Sequence, residues 1–212
     1  MPDPPNQPED APMDWRARTR AANRAALLQA GRAVFATQGF DAATVRDVVR
    51  ASGLSPGTFY NNYPDKGRLL ADILGDLLTT LRPRLVAARA SAGSVEAFVG
   101  GAFQVVVAHL LGDPQLLQLI ARSGNAVRRF IATEPQVAAL VGDLRADLER
   151  SIAAGLLPPV PVAPMAAAML GATVEVCLQA ARDGRDPDDT ADFLARLFIG
   201  GILQTRIEQG AP

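Results

Sequence analysis

The stretch TVRDVVRASGLSPGTFYNNY, residues 44–63, decides the fold. Thr44 can cap a short helix, and Gly53 can supply the left-handed residue that ends it. The inward face of that helix carries three valines, Val45, Val48 and Val49. Ser55 and Pro56 then combine a capping serine with a proline at the first position of the next helix. Two short helices joined by a three-residue turn have the geometry of a helix-turn-helix.

The second helix of this motif carries a glycine near its start. Gly57 costs about 1 kcal/mol of helix stability relative to alanine, which suits a place where the backbone must come very close to a partner such as a DNA groove. Phe59 and Leu54 can pack the two helices together with the valines. The remaining side chains are then expected to face outward or frame the surface: Pro56, Gly57, Thr58, Tyr60, Asn61 and Asn62.

Positive charge is concentrated around this motif. Residues 16–68 carry nine basic and three acidic residues, a net charge of +6, whereas the whole chain has a net charge of −1. A compact basic segment in an acidic chain is typical of a polyanion-binding module, although a solvated arginine-rich helix face gives the same count. Lys66, the only lysine, opposes the dipole of the helix that follows. An anion from a partner would explain it, and a solvated surface lysine is the alternative.

Helical periodicity extends over the rest of the chain, so we predict an all-α fold. Residues 1–14 hold five prolines and are predicted to be a disordered arm. A first helix is expected from Trp15 to Gly39, and a fourth from Pro64, ending or kinked at Pro83. Later helices are predicted at roughly 94–111, 114–131, 135–156, 162–182 and 188–208, separated by turn residues.

Residues from about Thr19 to Leu74 resemble the DNA-binding domain of the TetR (tetracycline-repressor) family. The matching pieces are Gly39-Phe40, Thr44 with Arg46, Gly53-Leu54-Ser55, Gly57-Thr58-Phe59-Tyr60, and Lys66 with Leu69-Leu70. The resemblance implies a three-helix DNA-binding domain with a helix-turn-helix at 15–63. It also implies a helical effector-binding and dimerisation domain at 64–212, whose first helix links the two. Such a protein would be a homodimeric transcriptional regulator, usually a repressor, that binds a palindromic DNA operator and a small-molecule effector.

The resemblance assigns roles to individual residues of the motif. Phosphate contacts are implied for Thr44, Ser55, Tyr60 and Lys66. Base-edge contacts are implied for Arg46, Gly57, Thr58 and Asn61, with Pro56 at the start of the recognition helix. Asn61 and Asn62 depart from the aromatic residue and histidine that the family often has. Arg16, Arg18 and Arg20 could follow the DNA backbone or minor groove, or form a solvated basic arm.

Two later helices carry the candidate effector contacts. Five residues lie on one face of the 94–111 helix, Phe98, Ala102, Val105, Val106 and His109, and all but Val106 are candidate effector contacts. Three more candidates lie on the 162–182 helix: Met165, Met169 and Cys177. These residues could line an apolar cavity, and ordinary core packing is the alternative for each. Arg122, Arg128 and Arg129 could meet an acidic ligand or form a solvated face.

Small residues mark a possible interface between subunits. Ala168, Gly171, Ala172 and Glu175 form one helix face, and Gly200-Gly201 lies within the last helix. Small side chains permit the close helix approach that a four-helix dimer interface needs, and packing within one chain is the alternative.

The composition argues against several other classes. One cysteine and one histidine give no disulfide within the chain and no common metal or nucleophile constellation, so we predict no enzyme, metal or cofactor. A single thiol fits a reducing compartment, and the acidic, proline-rich start is unlike a secretory signal. Apolar runs such as 98–111 are too short to cross a bilayer. A cytoplasmic protein with no membrane partner is therefore expected.

Overall fold

The computed structural model describes residues 15–204, apart from the side chain of Leu203. Its helices are α1 (Trp15–Gln38), α2 (Val45–Ser52), α3 (Pro56–Asn62), α4 (Lys66–Ala90), α5 (Val95–Leu111), α6 (Pro114–Arg122), α7 (Gly124–Thr133), α8 (Pro135–Ala153), α9 (Val162–Asp183) and α10 (Pro187–Gln204). No β-strand occurs between residues 15 and 204, which confirms the all-α prediction. The predicted arm at 1–14 and the last part of the final predicted helix, 205–208, lie outside the described residues.

Local capping builds the helix-turn-helix as predicted. The Thr44 hydroxyl accepts a hydrogen bond from the Asp47 amide, and the Asp47 carboxylate accepts one from the Thr44 amide, a reciprocal capping box at the start of α2. Gly53 ends α2 in the left-handed conformation, with φ of 68°. Ser55 caps α3. Two side chains are fully buried where the helices meet, Val48 and Phe59.

The helix α4 runs for 25 residues and joins the two halves of the molecule. The sequence predicted that Pro83 would end or kink it, and the helix does not end there. Pro83 is exposed, so the carbonyl group that loses its amide donor can face water. A buried stripe continues on both sides of the proline, Leu78, Leu81, Leu85 and Arg89. The burial of that stripe carries the helix on to Ala90.

The predicted helix at 114–131 is two helices, because Ser123 interrupts it. Ser123 is buried, and its hydroxyl accepts a hydrogen bond from the Phe40 amide at 3.0 Å. Gly39, which ends α1 with φ of 80°, lies so close that a Cβ there would be 2.6 Å from the Arg122 carbonyl oxygen. The break between α6 and α7 therefore receives the end of α1 and ties the N-terminal helices to the C-terminal bundle.

Helix α5 lies inside the C-terminal bundle, against α4, α9 and α10. Phe103 of α5 stacks on Phe198 of α10, with ring centroids 5.5 Å apart. Helix α9 is long and apolar enough to cross a membrane by length and composition alone, and α5 with α6 would be if that pair, bent by 87°, formed one span. A core helix of a globular protein meets the same test, and α9 packs against α5, α8 and α10. Only 28% of its apolar window is buried, so one face of α9 stays uncovered within a single chain.

Candidate DNA-binding surface and effector cavities

The face of α3 opposite the core is open to solvent. Pro56, Gly57, Tyr60 and Asn61 are exposed, and Thr58 is half-buried. The ring of Tyr60 is 58% exposed, which is unusual for a large aromatic side chain. Asn62 is half-buried and its amide donates to the Thr58 carbonyl at 2.8 Å. Arg46 of α2 is exposed as well. The outer face of α3 thus presents polar and aromatic groups to solvent.

Two predicted phosphate ligands also cap helices. The Thr44 hydroxyl donates to the Asp47 carboxylate at 2.6 Å. Hydrogen bonds from the Thr44 hydroxyl and amide hold the pKa of Asp47 below its usual range. The Ser55 hydroxyl accepts from the Thr58 amide at 3.1 Å and lies 2.9 Å from the Thr58 hydroxyl. Both hydroxyls are therefore fixed in place at the surface by the helices that they cap.

Lys66 makes contacts that the sequence did not predict. Its ammonium donates to the carbonyls of Phe40 and Ala43, each at 2.7 Å, and lies 3.4 Å from that of Asp41. It also sits 4.5 Å from the centroid of the Phe40 ring. Lys66 thereby ties the start of α4 to the turn between α1 and α2. The phosphate contact implied by the family resemblance stays a prediction.

An apolar cavity of about 110 Å³, the inner cavity, lies among α4, α5, α8 and α9. Ala102 and Met169, two of the predicted effector contacts, line it together. The other side chains in its wall include Leu85, Phe103, Val106, Leu140, Leu144 and Thr173. Arg89 is also part of this wall, so a charged group borders an otherwise apolar space.

A second cavity of about 490 Å³, the outer cavity, lies where α4 ends, α5 begins and α8 passes. Phe98, a third predicted effector contact, lines it, and so does Arg89. Val86 and Leu156 also line it and remain 48% and 59% exposed. Arg89 therefore stands in the wall of both cavities, and the outer cavity has an apolar rim.

Arg89 is only 7% exposed. Its Nε donates to the Leu85 carbonyl at 3.2 Å, and its Nη1 lies 2.9 Å from a carboxylate oxygen of Asp147. Among the described residues no acceptor lies within hydrogen-bond distance of its Nη2. Burial lowers the pKa of Arg89, while the nearby carboxylates of Asp147 and Asp143 act to raise it. The result is a buried guanidinium with one donor group unused.

His109 belongs to a different place, the junction between the two halves of the molecule. It lines a cavity of about 400 Å³, the junction cavity, together with Arg32 of α1 and Asp113. Arg32 forms an ion pair with Asp113. Burial and the charge of Arg84 lower the pKa of His109, while Asp113 acts to raise it. The structure thus separates His109 from Ala102 and Met169.

The other candidates lie elsewhere. Val105, Met165 and Cys177 line none of the inner, outer and junction cavities. Cys177 is fully buried, and burial raises the pKa of its thiol to about 11. Arg122, Arg128 and Arg129 are exposed.

Residues 27–73 match the family model described as bacterial regulatory proteins, tetR family. This match assigns residues 27–73 to a tetR-family domain. Over 80 residues it is 32% identical to the HTH-type transcriptional repressor KstR2 of Mycolicibacterium smegmatis. That alignment covers 38% of this chain and 33% of the repressor, so the chain matches about a third of the length of this curated relative.

Solved structures extend the likeness in fold to the C-terminal helices. The fatty acid degradation regulator FadR from Bacillus halodurans superposes with a TM-score of 0.72 at 18% identity, over 87% of this chain and 97% of that one. FadR from Bacillus subtilis, solved in complex with stearoyl-CoA, superposes with a TM-score of 0.72 at 17% identity, over 84% of this chain and 98% of that one. At such low identity the likeness shows a shared fold.

Sequence reasoning missed Arg89, a buried charged side chain that lines both cavities. A signal was present, because Arg89 follows Leu78, Leu81 and Leu85 at helical spacing. A charged residue on an apolar stripe is rarely buried without a partner or a function. The Arg32–Asp113 pair left no comparable signal, since its members are far apart in the sequence.

Proposed function

We propose that this TetR-family protein is a sequence-specific DNA-binding transcriptional regulator of the cytoplasm. In this proposal it is a repressor that a small-molecule effector releases from a palindromic operator. The outer face of α3 carries the proposal, because Gly57, Tyr60 and Asn61 stand exposed on a helix-turn-helix. Arg46 on α2 lies beside that helix in the motif, and the surrounding segment has a net charge of +6. Such a face suits the major groove and its flanking phosphates.

The uncovered faces of α9 and α10 support a homodimer. Phe193 and Leu197 of α10 are 48% and 50% exposed, and large apolar side chains in a row favour a partner surface. Gly171 on α9 and Gly200 on α10 each border open space, so a second chain could approach closely. A two-fold dimer would present two recognition helices to two half-sites about one helical turn or somewhat more apart.

The inner and outer cavities support an effector site in the C-terminal bundle. Helix α4 starts beside the helix-turn-helix and contributes Leu85 and Arg89 to the cavity walls. An effector weakens DNA binding only if it prefers a conformation whose recognition helices are wrongly spaced. FadR of Bacillus subtilis, which shares this fold, was solved in complex with stearoyl-CoA, and this supports a small-molecule effector.

Selection from a random pool of duplex DNA tests the proposal. We expect enrichment of a palindrome, with an affinity that falls linearly in log salt because phosphates are neutralised on binding. The matched comparison is a variant carrying Arg46→Ala and Asn61→Ala, which keeps the fold and should lose the selected preference. In transcription reactions with the palindrome at the promoter, the protein should reduce transcript yield. Recovery of no palindrome by a folded dimeric protein would contradict the proposal.

A further inference from the structure

Arg89 is the starting observation, because burying a cation with an unused donor costs free energy unless something occupies that donor. Its side chain is 4% exposed and makes two of the contacts a guanidinium can make, to Asp147 and to the Leu85 carbonyl. The Nη2 group finds no acceptor within the described residues. Unsatisfied buried donors in native proteins are rare and often mark the place of a ligand.

The charges around Arg89 sum to a surplus of positive charge. Asp147 pairs with both Arg89 and Arg150, and Asp143 pairs with Arg82 at 2.7 Å. Three guanidinium groups therefore face two carboxylates. Glu96, near the start of α5, is exposed and makes no ion pair with these arginines within the described residues. One further carboxylate would balance this cluster.

The space beside Arg89 is apolar. The inner cavity of about 110 Å³ is lined by Ala102, Phe103 and Met169, with Thr173 as a polar neighbour. The Thr173 hydroxyl donates to the Met169 carbonyl at 2.6 Å, so it offers little to a ligand. The inner cavity is smaller than a cavity of about 150 Å³ that binds benzene, so it suits a short aliphatic chain better than a ring. The outer cavity, with its exposed rim of Val86 and Leu156, shares Arg89 with it.

We propose that the effector is an amphipathic carboxylic acid whose carboxylate accepts a hydrogen bond from Nη2 of Arg89 and whose apolar end fills the inner cavity. The inference rests on the proposed function, since it names the chemical class of the effector. A neutral apolar molecule would fill the cavity and leave Nη2 unused. An amine would add a fourth cation to a cluster that already has one in excess. Of these three classes, only the carboxylic acid satisfies the donor, the charge and the apolar wall together.

Calorimetric titration of the full chain, without DNA, tests the inference. The probes are octanoate, 1-octanol, octylamine and octanoyl-CoA, which share one chain length and differ in the head group. We expect octanoate to bind about 10-fold to 100-fold more tightly than 1-octanol, the gain expected from a charge-assisted hydrogen bond. Octylamine should bind more weakly still. Because no DNA is present, a negative titration would not argue against operator binding. A negative operator selection would likewise not argue against effector binding.

Two variants locate the site. Arg89→Met should bring octanoate down to the affinity of 1-octanol, whereas Arg145→Met, an exposed arginine on α8, should change nothing. Ala102→Leu should weaken every eight-carbon probe by filling the inner cavity, whereas Ala108→Leu, on the exposed side of α5, should not. If Arg89→Met does not fold, the head-group series on the natural protein and the Ala102→Leu variant decide the matter.

Several results would overturn the inference. Equal binding of 1-octanol and octanoate would show that no anion is recognised, and tighter binding of octylamine would make Asp147 the anchor. Tight octanoyl-CoA binding that survives Arg89→Met, without octanoate binding, would place the effector elsewhere. Absence of binding by all four probes up to their solubility would exclude this class.

Discussion

The ammonium of Lys66 lies within hydrogen-bond distance of carbonyl groups that belong to the turn between α1 and α2. Those carbonyls come from residues 40 and 43, where the chain leaves one helix and prepares to start the next. A charged donor that serves two or three carbonyls fixes the orientation of that turn. The position of Thr44, and with it the start of α2, then depends on a side chain from α4.

The first prediction concerns the stability that Lys66 provides. Lys66→Met should lower the free energy of unfolding by about 1–3 kcal/mol, because two carbonyls lose a charged donor. Urea denaturation measures this, with Arg46→Met, an exposed cation of the same domain, as the matched control. Unchanged unfolding would contradict the structural role. Operator titration of the same variant tests the phosphate contact separately, since loss of one such contact reduces the slope of log affinity against log salt by about 0.9.

The second prediction concerns Asn61, which is exposed on the outer face of α3. Asn61→Ala should relax discrimination at one position of each half-site by about 1–3 kcal/mol, because a bidentate amide contact to one base would be lost. Affinities for the selected palindrome and its single-base variants measure this. The matched control is Asn125→Ala, an exposed asparagine of α7. A uniform loss across all sequences would instead mean a backbone contact.

Among the helices, those of the DNA-binding motif were predicted most closely because their signals are local. The cap at Thr44, the left-handed Gly53 and the cap at Ser55 each act within four residues of the helix end that they define. The break at Ser123 was not predicted, because its cause is the amide of Phe40, 83 residues away. Sequence periodicity reports one helix at a time and carries no record of such distant partners.

The candidate site was predicted only in part, for the same reason. Ala102 and Met169 were found because both lie on apolar helix faces, and the structure brings them to one cavity. His109 shares the face of Ala102 in the sequence, yet a helix of 17 residues spans more than one neighbour, and its end reaches the junction cavity. The position of Arg89 on the apolar stripe of α4 was visible in the sequence, but its partner Asp147, 58 residues later in the chain, was not.

The third prediction concerns the uncovered face of α9. Gly171→Leu should weaken dimerisation by about 1–3 kcal/mol, because a bulky side chain would overpack a close helix approach. Gly142 of α8 also borders open space, so Gly142→Leu is the matched control and should leave the dimer unchanged. Sedimentation at a series of concentrations measures the dissociation constant. If both variants dimerise like the natural protein, the interface does not include this part of α9.

At the scale of the whole molecule, a small number of polar contacts join the N-terminal helices to the C-terminal bundle. Arg32 of α1 pairs with Asp113, which also caps α6 through the amide of Leu116. Burial acts to raise the pKa of Asp113, but hydrogen bonds from the Leu116 amide and from Arg32 outweigh it and hold that pKa below its usual range. The ionised carboxylate is therefore the form that the junction favours.

The fourth prediction is the pH dependence of that junction. A lowered folded pKa gives stability that is fully present above the unfolded pKa of about 3.9 and is lost as pH falls through the folded value. Arg32→Met should therefore lower the free energy of unfolding by at most about 1 kcal/mol between pH 5 and 8, since both partners are about a third exposed. The loss should be smaller below pH 4. The pKa of His109 is lowered by burial and by the charge of Arg84, so His109 would add its own pH dependence. It is therefore replaced by glutamine in both the Arg32→Met variant and the protein compared with it. Urea unfolding at pH 7, 5 and 3 measures the difference, and a cost that is independent of pH would contradict the prediction.

The continuity of α4 past Pro83 has a mechanical consequence. Taken as a straight rod, its 25 residues are about 37 Å long, at 1.5 Å per residue. If the rod tilts by about 5° about the end that holds Arg89, the end that holds Lys66 swings through about 3 Å, which is close to the 3.4 Å rise of one base pair. In a two-fold dimer the symmetry-related copy of α4 moves in the opposite direction, so the distance between the two recognition helices changes by up to about 6 Å. A continuous α4 would thus convert a small tilt beside the inner cavity into a change in recognition-helix spacing. That change exceeds one base-pair step along the operator.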